Sequence, residues 1–338
     1  MSELNSSNTA LVTGGSGFLG RAIVKQLLAK GVKVHILSRG NYPDLEKAGC
    51  KVFRGEISDE KSITEAAEGC DLIFHTAAKA GVEEPYSEYE RINYRGTLAV
   101  IEACKKLGIK KLIYTSTPSV VVGMAGIKNG NESLAYPEHT AYYPKTKTMA
   151  EQAVLVANGS DLLTVALRPH LMWGPGDTNL VPRLVKRARA GKMKFVGDGK
   201  NIVDTTFIDN AAEAHILAAE HLEEGAACAG KAYFITNGEP TPISEITNKL
   251  IGAAGCGPVT ATIPFQLAYY VGAAIEWAYK TFQIKGEQPI TPWMACELAH
   301  DHWFNIEAAK RDFGYTPKVS IEEGLKILAE HYKEHPIK

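Results

Sequence analysis

The sequence is poor in the features that assign a chain quickly. It has six cysteines in 338 residues, none at the spacing of a metal knuckle, which leaves little basis for a disulfide framework or a zinc site. They fit reduced thiols in a cytoplasmic chain. Charge of one sign is also lacking: 37 Lys and Arg face 38 Asp and Glu, a net charge of −1. A protein that grips nucleic acid through its overall field carries a basic excess, so no nucleic-acid partner is expected. There is no internal repeat and no low-complexity tract. Residues Met1–Asn8 are polar, without basic-then-apolar order, and read as a disordered tail rather than a signal peptide. The strongly apolar stretch Ile263–Ile284 is broken by Gln266, Glu276 and Lys280 and is too polar to span a bilayer comfortably.

What is present is a rhythm. Up to about Arg168, short apolar strands (Ala10–Thr13, Lys33–Leu37, Lys51–Arg54, Asp71–His75, Lys111–Thr115, Thr164–Arg168) alternate with helical patterns such as Arg21–Ala29, Glu88–Leu107 and Tyr142–Ala157. That alternation predicts an α/β fold, a doubly wound parallel sheet that binds ligands at the carboxyl ends of its strands. After Arg168 the pattern breaks at the loop Gly174-Pro175-Gly176-Asp177. A basic helical stretch follows over Val181–Ala190, where Arg183, Lys186, Arg187 and Arg189 suggest a solvated face. Asn210 and Glu213 are spaced as a capping box opening a helix toward Glu220. The expected division is a dinucleotide-binding domain over residues 9–170, with segments near 204–236 returning to the sheet. A smaller, mostly helical lobe over 171–338 would hold substrate. For residues 263–284 a buried lobe helix is the commonest fate; a lid over an alkyl pocket and an interfacial, membrane-peripheral anchor stay open.

The first strand runs straight into Thr13-Gly14-Gly15-Ser16-Gly17-Phe18-Leu19-Gly20 and then into a helix. Gly15, Gly17 and Gly20 satisfy the dinucleotide fingerprint, whose small residues allow a tight turn and close approach to a pyrophosphate. The helix start then offers N–H groups and a positive dipole end to the phosphates. Where an NAD-selective acid would end the second strand, the sequence has Ser38-Arg39-Gly40. Arg39 can pair with a 2′-phosphate and Ser38 can donate to it, contacts of about 1.5–3 kcal/mol that favour NADP(H). If Arg39 only stacks on adenine, NAD(H) is used as well.

Of fourteen tyrosines, Tyr143 alone has a lysine, Lys147, four residues on. On a helix the pair shares a face. A phenol titrates near 10, and lowering it by about 3 units takes roughly 4 kcal/mol of differential interaction from nearby cations. Such tuning suits acid–base work on a carbonyl/alcohol pair. Upstream, Thr117 at the end of the fifth strand, with Ser116 second, is a hydroxyl that could orient the reacting oxygen; capping of a turn before Pro118 explains either residue equally well. Lys79, together with His170, is a candidate to meet a substrate carboxylate; a solvent-facing loop lysine is the plain alternative.

These residues together resemble the extended short-chain dehydrogenase/reductases over nearly the whole chain. The matches are Thr13-Gly14-x-x-Gly17-x-x-Gly20, Gly55-Glu56-Ile57, Ala77-Ala78, Asn93, Thr117, Tyr143-x-x-x-Lys147 and Arg168-Pro169. Glu56 stands where Asp is usual, and Trp173 where Tyr is commoner. Within that family the sequence is similar to the 3β-hydroxysteroid dehydrogenase-like branch and, more narrowly, to the bacterial 2-alkyl-3-oxoalkanoate reductases of long-chain olefin biosynthesis. The stretches that carry this are Arg39 to Pro43, His75 to Gly81, Tyr114 to Val120, Trp173 to Asp177, Ala226 to Phe234 and Arg311 to Tyr315.

The resemblance implies an NADPH-dependent reductase in which Tyr143 protonates the forming alkoxide, Lys147 lowers the Tyr143 pKa and holds the ribose, and Thr117 orients the carbonyl. It implies cofactor contacts from Gly14 to Gly20 and from Ser38, Arg39, Glu56, Ile57, Ala77, Ala78, Lys79, Thr115, Lys147 and Pro169. Substrate contacts would come from Lys79, Ser116 and His170, with no metal. The implied partners are a long-chain keto acid, a second copy of the chain and other enzymes of the olefin pathway. A steroid or sterol 3-dehydrogenase shares the chemistry and differs in the pocket. A nucleotide-sugar epimerase shares the fold, but the long apolar segment suits a lipid better than a uridine diphosphate. Dehydratases place Asp-Glu after the active-site Thr, where this chain has Pro118-Ser119. A non-catalytic cofactor sensor would lack the Tyr/Lys pair.

Overall fold

Alternating strand residues face opposite ways, and this builds two cores on one sheet. The computed structural model describes residues 2–81, 85–284, 286 and 288–337. Seven parallel strands form the sheet: β1 (Thr9–Thr13), β2 (Lys33–Ser38), β3 (Lys51–Arg54), β4 (Leu72–His75), β5 (Lys111–Thr115), β6 (Leu163–Pro169) and β7 (Lys231–Ile235). Their order is β7-β6-β5-β4-β1-β2-β3. Chain direction reverses its march across the sheet between β1 and β4, which opens a crevice at their carboxyl ends.

The helices used below are α1 (Phe18–Ala29), α2 (Glu60–Ala67), α3 (Gly96–Leu107), α4 (Tyr142–Val156), α5 (Leu180–Arg189), α6 (Ile208–His221), α7 (Ile243–Ala253), α8 (Phe265–Phe282), α9 (Pro292–Ala299) and α10 (Ile321–Glu334). Ala10, Val12, Phe74, Ile113 and Val165 point to α1 and α6. Leu11, Ile73, Leu112, Tyr114 and Ala166 point to α2, α3 and α4. The fold is the doubly wound parallel sheet with a helical C-terminal part. Among the described residues no helix is long and apolar enough to cross a membrane.

The lobe is stitched to the sheet by short strands. His302–Phe304 pairs with Ile202–Val203 on one side and Ile127–Gly130 on the other, so the loop after β5, the exit from β6 and the C-terminal part meet in one place. Beyond β6, α6 packs on one face of the sheet and β7 pairs with β6 at its edge.

Four local expectations change. Met1 lies outside the described residues, but residues 2–8 are not a free tail: Leu4 is 6% exposed, and Ser2 and Leu4 both donate to Glu220 at the end of α6. A leucine with a core to enter outweighs the polar composition around it. The Asn210/Glu213 capping box does not form. Asn210 lies inside α6, buried, where it donates to Val319 O and accepts from Lys318 and Val319 N–H, while Glu213 pairs with Lys318. Glu88–Leu107 is not one α-helix either; a π-helical turn, Glu90–Arg95, interrupts it. Finally, α8 is no core helix. Of its eighteen residues Ala268 and Gly272 are buried, and Leu267, Tyr270, Val271, Trp277 and Phe282 are exposed.

Candidate active site

The turn after β1 is shaped by two close approaches. Gly14 has φ of 68°, and a Cβ there would lie 2.9 Å from the Ala77 Cα; at Gly20 it would lie 2.2 Å from the Gly14 carbonyl oxygen. The backbone of β1, the start of α1 and the exit from β4 therefore close up as only glycine allows. No side chain caps α1, which leaves the N–H groups of Phe18, Leu19 and Gly20 directed at the crevice. This is a cradle with the shape and polarity for a pyrophosphate.

The crevice has a volume of about 270 Å³, and Gly14, Ser16, Gly17, Ser38, Arg39, Glu56, Ile57, Ala77, Ala78 and Lys79 line it. At the β2 end, Ser16 and Ser38 hydroxyls are 2.9 Å apart and Arg39 is exposed. Arg54, level with Ser38 on β3, donates to the Arg39 carbonyl at 3.2 Å. Sequence reasoning missed Arg54, Tyr42 and Arg91, since nothing along the chain links them to the glycine turn. Tyr42 and Arg91 line the crevice. Glu56 is tied to Arg91 at 2.6 Å. Arg91, and at longer range Lys79, hold the Glu88 carboxyl below the usual range. Lys79 thus belongs to the cofactor crevice by position. Gly15 packs against Ile36 behind it.

Of the catalytic candidates, Tyr143 and Lys147 stand on α4 and Thr117 just past the end of β5; Lys147 is buried, and Tyr143 and Thr117 are half-buried. Lys147 is 2% exposed; its Nζ donates to Thr115 O at 2.7 Å and lies 4.2 Å from the Tyr114 ring centroid. Burial pulls its pKa down to about 7, with Glu151 one turn on opposing. Burial pushes the Tyr143 phenol up to about 12, drawn back by a side-chain hydrogen bond with Thr117 and raised by Tyr89. Thr117 also accepts from Ser119 N–H at 3.2 Å and so caps the turn that follows it. Thr115 contributes its carbonyl to Lys147, whereas its hydroxyl turns to His215 on the α6 face, 2.9 Å away. Ser116 Oγ is buried with no hydrogen-bond partner among the described residues. Pro169 ends β6 beside Ile235.

The π-turn explains the rigidity. It points buried Asn93 inward, where Oδ1 accepts from Lys79 N at 2.7 Å and Nδ2 donates to Lys79 O at 3.0 Å and Thr146 Oγ1 at 3.2 Å. One amide thereby ties the crevice wall to the helix that carries Tyr143 and Lys147. Behind α4, Arg168 and Glu151 form a buried bidentate pair at 2.6 and 2.9 Å. At the mouth, Lys280 of α8, raised by its pair with Glu276, lies within electrostatic reach of Tyr142.

Comparison with known proteins matches the model of the 3-beta hydroxysteroid dehydrogenase/isomerase family to residues 11–265. A 2-alkyl-3-oxoalkanoate reductase of Stenotrophomonas maltophilia is 49% identical over 326 residues, 94% of this chain and 97% of the relative. A sterol-4-alpha-carboxylate 3-dehydrogenase (decarboxylating) of Mus musculus is 36% identical over 336 residues, 98% and 92% of the two chains. Among solved structures, a UDP-glucose 4-epimerase of Thermotoga maritima superposes with a TM-score of 0.76 at 22% identity, covering 97% of this chain and 99% of that one. At that identity the likeness speaks for the fold.

Proposed function

The chain belongs to the 3-beta hydroxysteroid dehydrogenase/isomerase family, NAD(P)-dependent oxidoreductases, and on that premise we propose that it reduces a 2-alkyl-3-oxoalkanoate to the 2-alkyl-3-hydroxyalkanoate with NADPH. The observation that carries this is the half-buried Tyr143, within electrostatic reach of the Thr117 hydroxyl and one turn before a buried Lys147, beside a crevice built for a dinucleotide.

Gly14 to Gly20 would hold the pyrophosphate, and Ser38, Arg39 and Arg54 the 2′-phosphate. A reduced nicotinamide, when bound, supplies hydride to the carbonyl carbon. Tyr143 gives its proton to the carbonyl oxygen; with burial holding the phenol near 12, it stands protonated at neutral pH, as an acid for the reductive direction must. Thr117 keeps that hydroxyl aimed at the reacting oxygen. Lys147 in its charged form stabilises the phenolate left behind.

The substrate class follows the bacterial relative's name. A second reading, a sterol dehydrogenase, has the mouse relative behind it. Both names describe a carboxylate on the carbon next to the one bearing oxygen, so the two readings share a β-oxygenated acid and differ in its skeleton. Oxidation of NADPH with a 2-alkyl-3-keto acid, a 3-ketosteroid and a nucleotide sugar separates them. Turnover of the keto acid is expected. Activity with the steroid alone overturns the choice, and isomerisation of the sugar without net cofactor change makes the protein an epimerase.

A further inference from the structure

Resting on that reading, we propose that His170, held by Asp204, is the anchor for the substrate carboxylate, in a polar recess completed by Glu297 and His302 of the C-terminal lobe. His170 is the first residue past β6, on the edge of the sheet where ligands bind. Its backbone is pinned on both sides: its N–H donates to Ile235 O, and its carbonyl accepts from Thr206 Oγ1 at 2.7 Å. Its Nδ1 is 2.6 Å from Asp204 Oδ1. The other Asp204 oxygen accepts from Phe304 N–H at 2.7 Å, and Asp204 is 1% exposed.

A carboxylate accepts, so Nδ1 carries the proton and Nε2 is the working atom. Among the described residues Nε2 has no hydrogen-bond partner. In this arrangement Nε2 presents a second N–H to the incoming carboxylate, so that the ring bridges Asp204 and the substrate.

The position fits the chemistry. Thr115, the last residue of β5, pairs with Leu167 on β6, so Thr117 and His170 both lie just past the carboxyl ends of neighbouring strands roughly 4.8 Å apart. Thr117 is the hydroxyl that draws the Tyr143 phenol back down. In a β-oxo acid the carboxyl carbon is two bonds from the carbonyl carbon, which is the separation these neighbouring strand ends can serve.

The wall behind is polar and incompletely satisfied. Glu297 Oε1 is 4.0 Å from His302 Nε2, and among the described residues the buried atoms Glu297 Oε1, His300 Nδ1 and Trp293 Nε1 have no hydrogen-bond partner. Burial pushes the Glu297 carboxyl up to about 7, with His170 opposing, and pulls His302 down to about 4, with His170 and His300 adding to the fall. A protonated Glu297 is a second donor for a carboxylate. Among the described residues no group of these side chains is arranged to hold a metal ion. Lys79, the other candidate, stands at the opposite side of the site, in the cofactor crevice.

The test uses the stable direction, oxidation of a 2-alkyl-3-hydroxyalkanoate and of its methyl ester by NADP⁺. His170→Ala is expected to raise KM for the acid about 10–100-fold while KM for the ester moves less than threefold. His170→Gln, which keeps a donor, should recover part of the loss. NADP⁺ titration establishes that each variant is folded, and Asp204→Asn gives an independent change in the same direction. Equal rises for acid and ester, or no change in either, would overturn the proposal. Wild-type protein inert toward both compounds would overturn the functional reading, and the anchor with it.

Discussion

The cofactor crevice and the catalytic floor share one sheet edge yet are made of different things. The crevice is built around a glycine turn and an uncapped helix start, rimmed by side chains from several elements such as Arg39, Glu56 and Arg91. The floor is side chains in a buried setting, where Tyr143 and Lys147, one helical turn apart, are driven in opposite directions by the same loss of water. Burial disfavours charge, so it raises the phenol and lowers the amine. Shape does the work in the first region and electrostatics in the second. Changes in the crevice should therefore alter which cofactor binds, and changes in the floor should alter the rate.

The contrast breaks most visibly at Tyr143. Tyr143→Phe should lower kcat by about 10²–10⁴-fold with NADPH affinity, read by fluorescence titration, unchanged. Retained turnover would remove the proton donor from the mechanism. On the crevice side, Arg39→Ala should reduce the NADPH-over-NADH preference in kcat/KM by roughly 10–100-fold and leave the NADH rate alone. A change confined to kcat with both cofactors would place Arg39 in the wrong region.

The smallest effect concerns stability. The Lys147 pKa falls from 10.5 to about 7 on folding, so between those values the unfolded chain binds more protons and stability rises with pH. Removing the amine should flatten that rise. For Lys147→Met, thermal melts should show a Tm a few degrees above wild type at pH 7 and a difference that shrinks toward pH 10.5. A difference constant across that window would mean that Lys147 is not the group responsible.

Much of the crevice can be read along the chain because its parts are consecutive. Thr13 to Gly20 contain turn, helix start and phosphate cradle in eight residues, and alternation within each strand announces two buried faces. Tyr143 and Lys147 are legible for the same reason, since four residues is one helical turn. Arg54, Arg91 and Tyr42 were not legible, because each reaches the crevice from a different element. Asn210 misled for a related reason: its spacing to Glu213 is that of a cap, but a burial site with backbone groups of Lys318 and Val319 offers that amide better partners. In α8, apolar composition suggested a core that the tertiary arrangement does not supply.

The sequence by itself determined the sheet, its two-faced core, the dinucleotide turn and the Tyr143/Lys147 pair proposed for catalysis, all features with a fixed local period or contiguous residues. Tertiary structure decided what lies across gaps in the chain. It brought Asp204 to His170 over 34 positions, set Thr115's carbonyl and Tyr114's ring against Lys147, and buried the phenol and amine together. Burial and long-range pairing depend on which elements meet, and no local pattern of residues encodes that meeting.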